Sequence, residues 1–337
     1  MAALSKSIIG AGATLASLVA ALANDGVRSF VSKWLGLEAP GGGWRLLCVV
    51  FALANLKSLP FMWHFRFLNG FLYHLYLQPT PIPAHALFQP SITSTRCSLL
   101  EMDYNLHKSN STYFADMDIS RTHLFTAIIR NGIVKSKNPA SGLGASQGTK
   151  KRHMIALGGI SCMFKREIKP YQKYEMWTRV LSWDRKWFYL VTHLVKPGVA
   201  RPKGWTLQPW KRGDGREVDE EMLKGAVFAS AVAKYVVKEG RKTIAPEQVL
   251  VDAEMVPVKP EGWVYKGDVE MKGEANGSLD KEGLLPKMFG EEEWNWDVIE
   301  RERLRGLKLA ESFAALDGLH EVFDGGERGA LGRYHDL

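Results

Sequence analysis

DYNLHKSNSTYFADMDISRTHL, residues 103–124, decides the fold of this chain. Asp103, Asn105 and His107 alternate immediately ahead of a helical pattern, in which Tyr113, Phe114, Met117, Arg121, Leu124, Phe125 and Ile128 recur at spacings of three and four. The pattern predicts a strand-to-helix junction with three chemically capable side chains on its approach. Asn110, Ser111 or Thr112 can cap the first turn, whose backbone N–H groups otherwise lack partners. Such N–H groups favour negative charge, and a carboxylate beside an anion-stabilising helix end suggests hydrolysis. Turn chemistry competes on spacing alone, because Asp and Asn favour turns through side-chain bonds to the backbone. Tyr113 suits either substrate contact or packing under a sheet.

Outward from that helix, NPASGLGASQGTKKR, residues 138–152, has no periodicity and reads as a loop. Its closing Lys150, Lys151 and Arg152 either end a solvated loop or meet phosphates. HMIALGGISCMFKREI, KYEMWTRVLSWD and KWFYLVTHLVK follow, rich in β-branched and aromatic residues and separated by Lys169-Pro170 and Asp184-Arg185. They predict a meander of antiparallel strands, which AVFASAVAKYVV, residues 226–237, continues. A long helix followed by a run of strands fits an α+β fold with a sheet curled around the helix.

The spacing D-x-N-x-H-x-x-N-x-x-Y, here Asp103, Asn105, His107, Asn110 and Tyr113, resembles the signature of hotdog-fold acyl thioesterases of the 4-hydroxybenzoyl-CoA and plant acyl-ACP type. The surrounding LEMDYNLHKSNSTYFADMDISR is most similar to thioesterase superfamily member 6 proteins and their fungal relatives, some of which belong to secondary-metabolite clusters. The resemblance covers roughly residues 86–255. It implies a curved antiparallel sheet wrapped around a central helix, and hydrolysis of an acyl-CoA or acyl carrier protein thioester in a site shared by two subunits. Asp103 would activate water or attack the carbonyl, Asn105 would orient water or substrate, and His107 would assist proton transfer or hold Asp103. Backbone N–H groups near Ser111 to Tyr113 would meet the oxyanion, with Asn110, Ser111, Thr112 and Tyr113 lining the substrate. Many relatives carry Gly or Gln before the His and Asn two residues after it; Leu106 and Ser109 depart from that pattern and bear on acyl or pantetheine contacts. Two other functions share these features: a hotdog dehydratase or isomerase, whose product keeps its thioester, and a membrane-tethered acyl-binding protein without turnover.

With 337 residues, 46% hydrophobic and 24% charged, the chain can bury one substantial core with appendages. Cys48, Cys97 and Cys162 are widely spaced, so they support neither a disulfide framework nor a zinc site, and no cofactor or metal is expected. His123, His153 and His193 read as packed or exposed side chains before pocket groups. The net charge of +8 suits anionic partners such as CoA, carrier protein or lipid headgroups, and no nucleic-acid module is visible. Arg241-Lys242 after the last strand reads equally as a phosphate contact or a soluble turn.

Residues 1–85 form a hydrophobic, basic leader. SIIGAGATLASLVAALAN, residues 7–24, ends in an Ala21-Leu22-Ala23 cleavage-like triplet and fits a signal or short anchor. WRLLCVVFALANLKSLPFMWHFRFLNGFLYHLYL, residues 44–77, is interrupted by Arg45, Lys57, Pro60 and Arg66, which disfavours a spanning helix and suits an interfacial one. A helical lid on the catalytic fold is the competing role. The triplets Asn110-Ser111-Thr112 and Asn276-Gly277-Ser278 are formal glycan acceptors, but the first falls at the proposed site. Membrane association with a cytosolic catalytic face is therefore favoured over the secretory route. Residues 256–337 form a C-terminal extension whose charged helix offers Trp294, Val298, Leu304, Leu307 and Phe313 as an apolar face.

Overall fold

The computed structural model describes residues 24–137, 153–199, 202–213, 220–265, 290 and 292–322. The leader segment 7–23, the loop 138–152, Asn276-Gly277-Ser278 and the closing tail lie outside the described residues. The described chain falls into two compact units. The first, through Met62 and including Ser98–Leu100, carries helices α1 (Asp25–Leu35) and α2 (Gly42–Ala54). Asn24 caps α1 by accepting from the Val27 N–H, and Gly36 ends it at φ 60°, a left-handed turn that suits glycine. Asn55 ties the segment 98–100 into this unit: its Nδ2 donates to the Phe51 carbonyl at 2.8 Å, and its Oδ1 accepts from the Leu100 N–H at 3.0 Å.

The second unit holds the sheet. Helix α3 (Met62–Leu72) runs into a π-helical turn at Tyr73–Leu77, so the apolar run 44–77 is several short helices broken at Asn55–Pro60. Strand β1 (Ser91–Arg96) precedes the central helix α4 (Asn110–Lys137), and β2 (His153–Phe164), β3 (Lys173–Trp183), β4 (Trp187–Val195), α5 (Glu220–Ala226), β5 (Val227–Glu239), β6 (Lys242–Ile244) and α6 (Pro246–Asp252) follow. All pairings are antiparallel, in the spatial order β1-β3-β4-β5-β2, with β6 added along β5. The helix enters the chain between the two outermost strands, so the sheet curls around it. This is the expected hotdog arrangement, an α+β fold.

Burial along β3 alternates, with Tyr174, Met176, Thr178 and Val180 facing the helix. Tyr113 and Met117 meet Tyr174, Met176 and Phe228 near the start of α4, while Phe125 and Ile128 meet Phe188 and Leu190 further along. Between these apolar groups runs one polar rung. Ser120 Oγ and Thr178 Oγ1 lie 2.8 Å apart, and Thr178 Oγ1 and Thr192 Oγ1 lie 3.0 Å apart, so the buried hydroxyls satisfy one another.

Helix α7 (Trp296–Ala314) packs on the other face of β3. Its buried stripe is Trp296, Ile299, Glu302, Gly306 and Ala310, whereas Trp294, Val298, Leu304, Leu307 and Phe313 flank it half-buried. The stripe is set by closeness of approach more than by side-chain size: a Cβ on Gly306 would fall 1.9 Å from the Leu181 carbonyl oxygen. Ser182 Oγ donates to the Arg303 carbonyl at 2.7 Å and Arg303 Nη1 donates to the Trp183 carbonyl at 2.9 Å, pinning that contact.

Candidate active site

The alternating segment ahead of α4 folds as a tight loop closed by a bridge between Met102 and Lys108. Inside it the Asp103 N–H donates to the His107 carbonyl at 3.0 Å and the Leu106 N–H donates to the Asp103 carbonyl at 3.1 Å. Asp103 Oδ1 accepts from the Asn105 N–H at 2.9 Å, the local turn bond that Asp favours. Its other oxygen, Oδ2, lies 3.6 Å from His107 Nδ1, and His107 Nε2 lies 3.9 Å from Glu167 Oε1. Asp103 and His107 are thus neighbours, each with about a quarter or less of its side chain exposed (24% and 21%). Asn105 is exposed, and its main-chain N–H is what reaches Asp103.

Helix α4 begins directly after this loop. Ser109 Oγ and Ser111 Oγ lie 3.1 Å apart, and the Thr112 N–H and Oγ1 both donate to the Ser109 carbonyl, at 3.0 and 2.7 Å. Helix geometry leaves the first N–H groups, at Asn110 and Ser111, without intrahelical carbonyls. Both of those residues are exposed and Thr112 is half-buried. Tyr113 is 2% exposed, edge-on to Phe164 with ring centres 5.1 Å apart, and burial drives its phenol pKa upward. Its ring belongs to the core under the sheet.

Beneath the loop lies a cluster that the sequence pattern did not disclose. Lys108 has a fully buried side chain, with Nζ 2.9 Å from Glu101 Oε1 and 2.9 Å from Asp116 Oδ2. Arg66 Nη2 donates to Asp116 Oδ1 at 2.8 Å, and the Tyr174 hydroxyl donates to Asp116 Oδ2. Burial first, and then the Asp116 carboxylate, hold the Tyr174 phenol protonated far above its ordinary range. Two cations facing two carboxylates make the cluster neutral. It clamps the loop end and the second turn of α4 to β3 and α3. Its available signal was Asp116, an acid on the helix face otherwise occupied by Tyr113, Met117 and Ser120.

Of the three histidines weighed as pocket groups, two have defined surroundings. His193 on β4 lies with Nδ1 2.8 Å from Ser230 Oγ, and burial, then Arg179, lowers its pKa to about 4. His123 pairs with His74 away from the Asp103 loop. Cys97 is buried, Cys162 half-buried and Cys48 exposed; burial raises the Cys162 thiol to about 11. Among the described residues no group of His, Cys, Asp and Glu could hold a metal.

The strand order and the central helix are those of the hotdog fold. The Thioesterase-like superfamily matches residues 97–242. Probable thioesterase atnL of Emericella nidulans is 37% identical over 302 residues, 86% of this chain and 91% of that protein. Thioesterase poxG of Penicillium oxalicum is 36% identical over 83% of this chain and 87% of its own length, and Protein THEM6 of Xenopus laevis is 26% identical over 42% and 61%. The chain belongs to the thioesterase-like superfamily, and its reaction is hydrolysis of a thioester.

Proposed function

We propose that the chain hydrolyses an acyl thioester carried on CoA or on an acyl carrier protein, and that Asp103 is the group that acts on the carbonyl carbon or its attacking water. The observation that carries this reading is Asp103 itself: one oxygen is held by the Asn105 N–H, the other lies beside His107, and the N–H groups opening α4 follow directly after the loop. Those N–H groups supply the oxyanion contacts, which require geometry rather than a particular side chain. Water adds to the carbonyl carbon as its proton passes to Asp103, the C–S bond breaks, and that proton reaches the leaving thiolate by way of His107. Asp103→Asn should lower thiol release from acyl-CoA by about 10²–10⁴-fold while circular dichroism stays unchanged. Turnover close to wild type would remove Asp103 from the reaction.

Two further features support the assembly and setting of this enzyme. Strand β2 is a sheet edge and exposes Met154 and Met163 on one face and Leu157 on the other, an edge suited to pairing with β2 of a second copy. We read the active form as a homodimer. Helices α1 and α2 expose Phe30, Trp34, Trp44, Leu47, Val50 and Phe51 beside Arg28, Lys33 and Arg45. No helix among the described residues is long and apolar enough to cross a membrane. Helix α2, 13 residues long, reaches about 20 Å against a hydrocarbon thickness of about 30 Å, so its apolar surface suits an anionic membrane surface.

A further inference from the structure

A cavity of about 610 Å³ lies away from the Asp103 loop, between α4, the π-helical turn, β1 and the segment 202–208. Thr206 Oγ1 donates to Gln89 Oε1 at 2.6 Å, tying that segment across the cavity beside β1. None of the residues that make the Asp103 site, and none of the buried Lys108 cluster, lines it. Its volume falls within the range of small-molecule sites, and its walls are largely apolar and aromatic, as such sites are.

Three observations describe its chemistry. Thr93, on the wall contributed by β1, carries a buried hydroxyl with no hydrogen-bond partner. Rotation about χ1 exchanges that hydroxyl for the methyl group, so the unsatisfied oxygen can be turned toward a ligand. His74 and His123 form the second feature. Gln78 Nε2 donates to the Thr80 carbonyl at 2.5 Å, which turns its Oε1 toward His74 Nδ1. His74 Nδ1 is then the donor, and His74 Nε2 accepts from His123 Nδ1 at 2.9 Å, while His123 Nε2 is directed at Gly70 of α3, which does not line the cavity. Burial lowers both imidazoles, His123 to about 4, so neither brings a charge to the wall at neutral pH. Third, the lining holds no carboxylate, and its one lysine or arginine, Lys203, is exposed. Trp177 and Trp205 supply flat apolar surface.

We propose that this cavity is a binding site for an uncharged apolar molecule bearing a hydroxyl group, which can both accept from and donate to the Thr93 hydroxyl. Two sources carry that chemistry: a hydroxylated acyl group of the thioester substrate itself, or a separate hydroxylated small molecule.

The test uses the full chain, with 4-butylphenol and its methyl ether 4-butylanisole as probes in isothermal titration calorimetry. The phenol should bind, the ether about tenfold or more weakly, and Thr93→Val, which keeps the branched shape, should lower phenol affinity by about tenfold. Trp177→Ala serves as a second variant that removes wall area without touching the hydroxyl pairing, and should weaken phenol and ether alike. Equal affinity for the two probes, unchanged phenol binding in Thr93→Val, or no phenol binding at millimolar concentration would overturn the proposal. Thiol release from decanoyl-CoA measured with 4-butylphenol present separates the sources. A raised KM at constant kcat assigns the site to the acyl group; binding with KM unchanged assigns it to a free ligand. Because calorimetry needs no turnover, failure here is distinct from failure of the Asp103 reading.

Discussion

Replacing Lys108 by Met tests whether the neutral cluster under the Asp103 loop holds that loop in place. The substitution keeps the apolar stem and removes one of two cations facing Glu101 and Asp116, leaving a net negative charge where Lys108 and Asp116 have no side-chain exposure. Lys108 Nζ meets two carboxylate oxygens at 2.9 Å, so both contacts are lost at once. Breaking a buried ion pair from one side costs about 3–5 kcal/mol, more than replacing the whole pair by apolar groups would. Arg66 and the Tyr174 hydroxyl remain on Asp116, which places the expected loss at the lower end, about 3 kcal/mol. Urea denaturation of Lys108→Met against wild type measures it. The double variant Lys108→Met/Glu101→Gln removes the excess charge and should recover about 1–2 kcal/mol relative to the single variant. A loss under about 1 kcal/mol, or a double variant no more stable than the single one, would refute the charge-balance reasoning.

The remaining predictions concern pH, assembly and surface. His123 and His193 have folded pKa values lowered to about 4, so the unfolded chain binds more protons between pH 6.5 and 4. Their contribution is complete above pH 6.5 and is lost as pH falls toward 4, at most about 3 kcal/mol each; denaturation at pH 7 and pH 5 should show the decline, with a shallower slope in His193→Gln, and an equal slope would exclude His193 as a source. Leu157→Lys, on the exposed β2 edge, should convert a dimer to monomer in light scattering; a wild-type monomer would sink the pairing. Cosedimentation with phosphatidylserine-containing vesicles should fall in Trp34→Glu/Trp44→Glu and at high salt, whereas unchanged binding would place the membrane contact elsewhere.

Much of the fold was legible because its central strands are buried on both faces. The segments from 153 to 196 and from 226 to 237 read as strands through dense β-branched and aromatic runs, and β2 to β5 occupy them. Strand β1 was not legible: Ser91-Ile92-Thr93-Ser94-Thr95-Arg96 is a polar edge strand whose pairing with β3 is decided by position rather than composition. In α7, the periodic large residues lie beside the contact, because Gly306 lets the backbone itself come closest. At the candidate site, the alternating spacing put Asp103 near His107, and Oδ2 of the first lies 3.6 Å from Nδ1 of the second. The buried charge cluster escaped notice because Lys and Asp are ordinarily surface residues, and only their mutual pairing makes burial tolerable.

The bridge between Met102 and Lys108 fixes the register of the loop it closes. In this loop His107 keeps partial contact with solvent while the next residue, Lys108, is wholly inside, so a partly exposed imidazole and a buried ammonium sit on consecutive positions of one short hairpin. Insertion or deletion of a single residue between 103 and 108 would exchange their places, burying the imidazole among carboxylates and turning the ammonium outward. A change of length would therefore disturb both positions at once, whereas a substitution at the exposed turn residue Leu106, held at φ 60°, leaves the register intact.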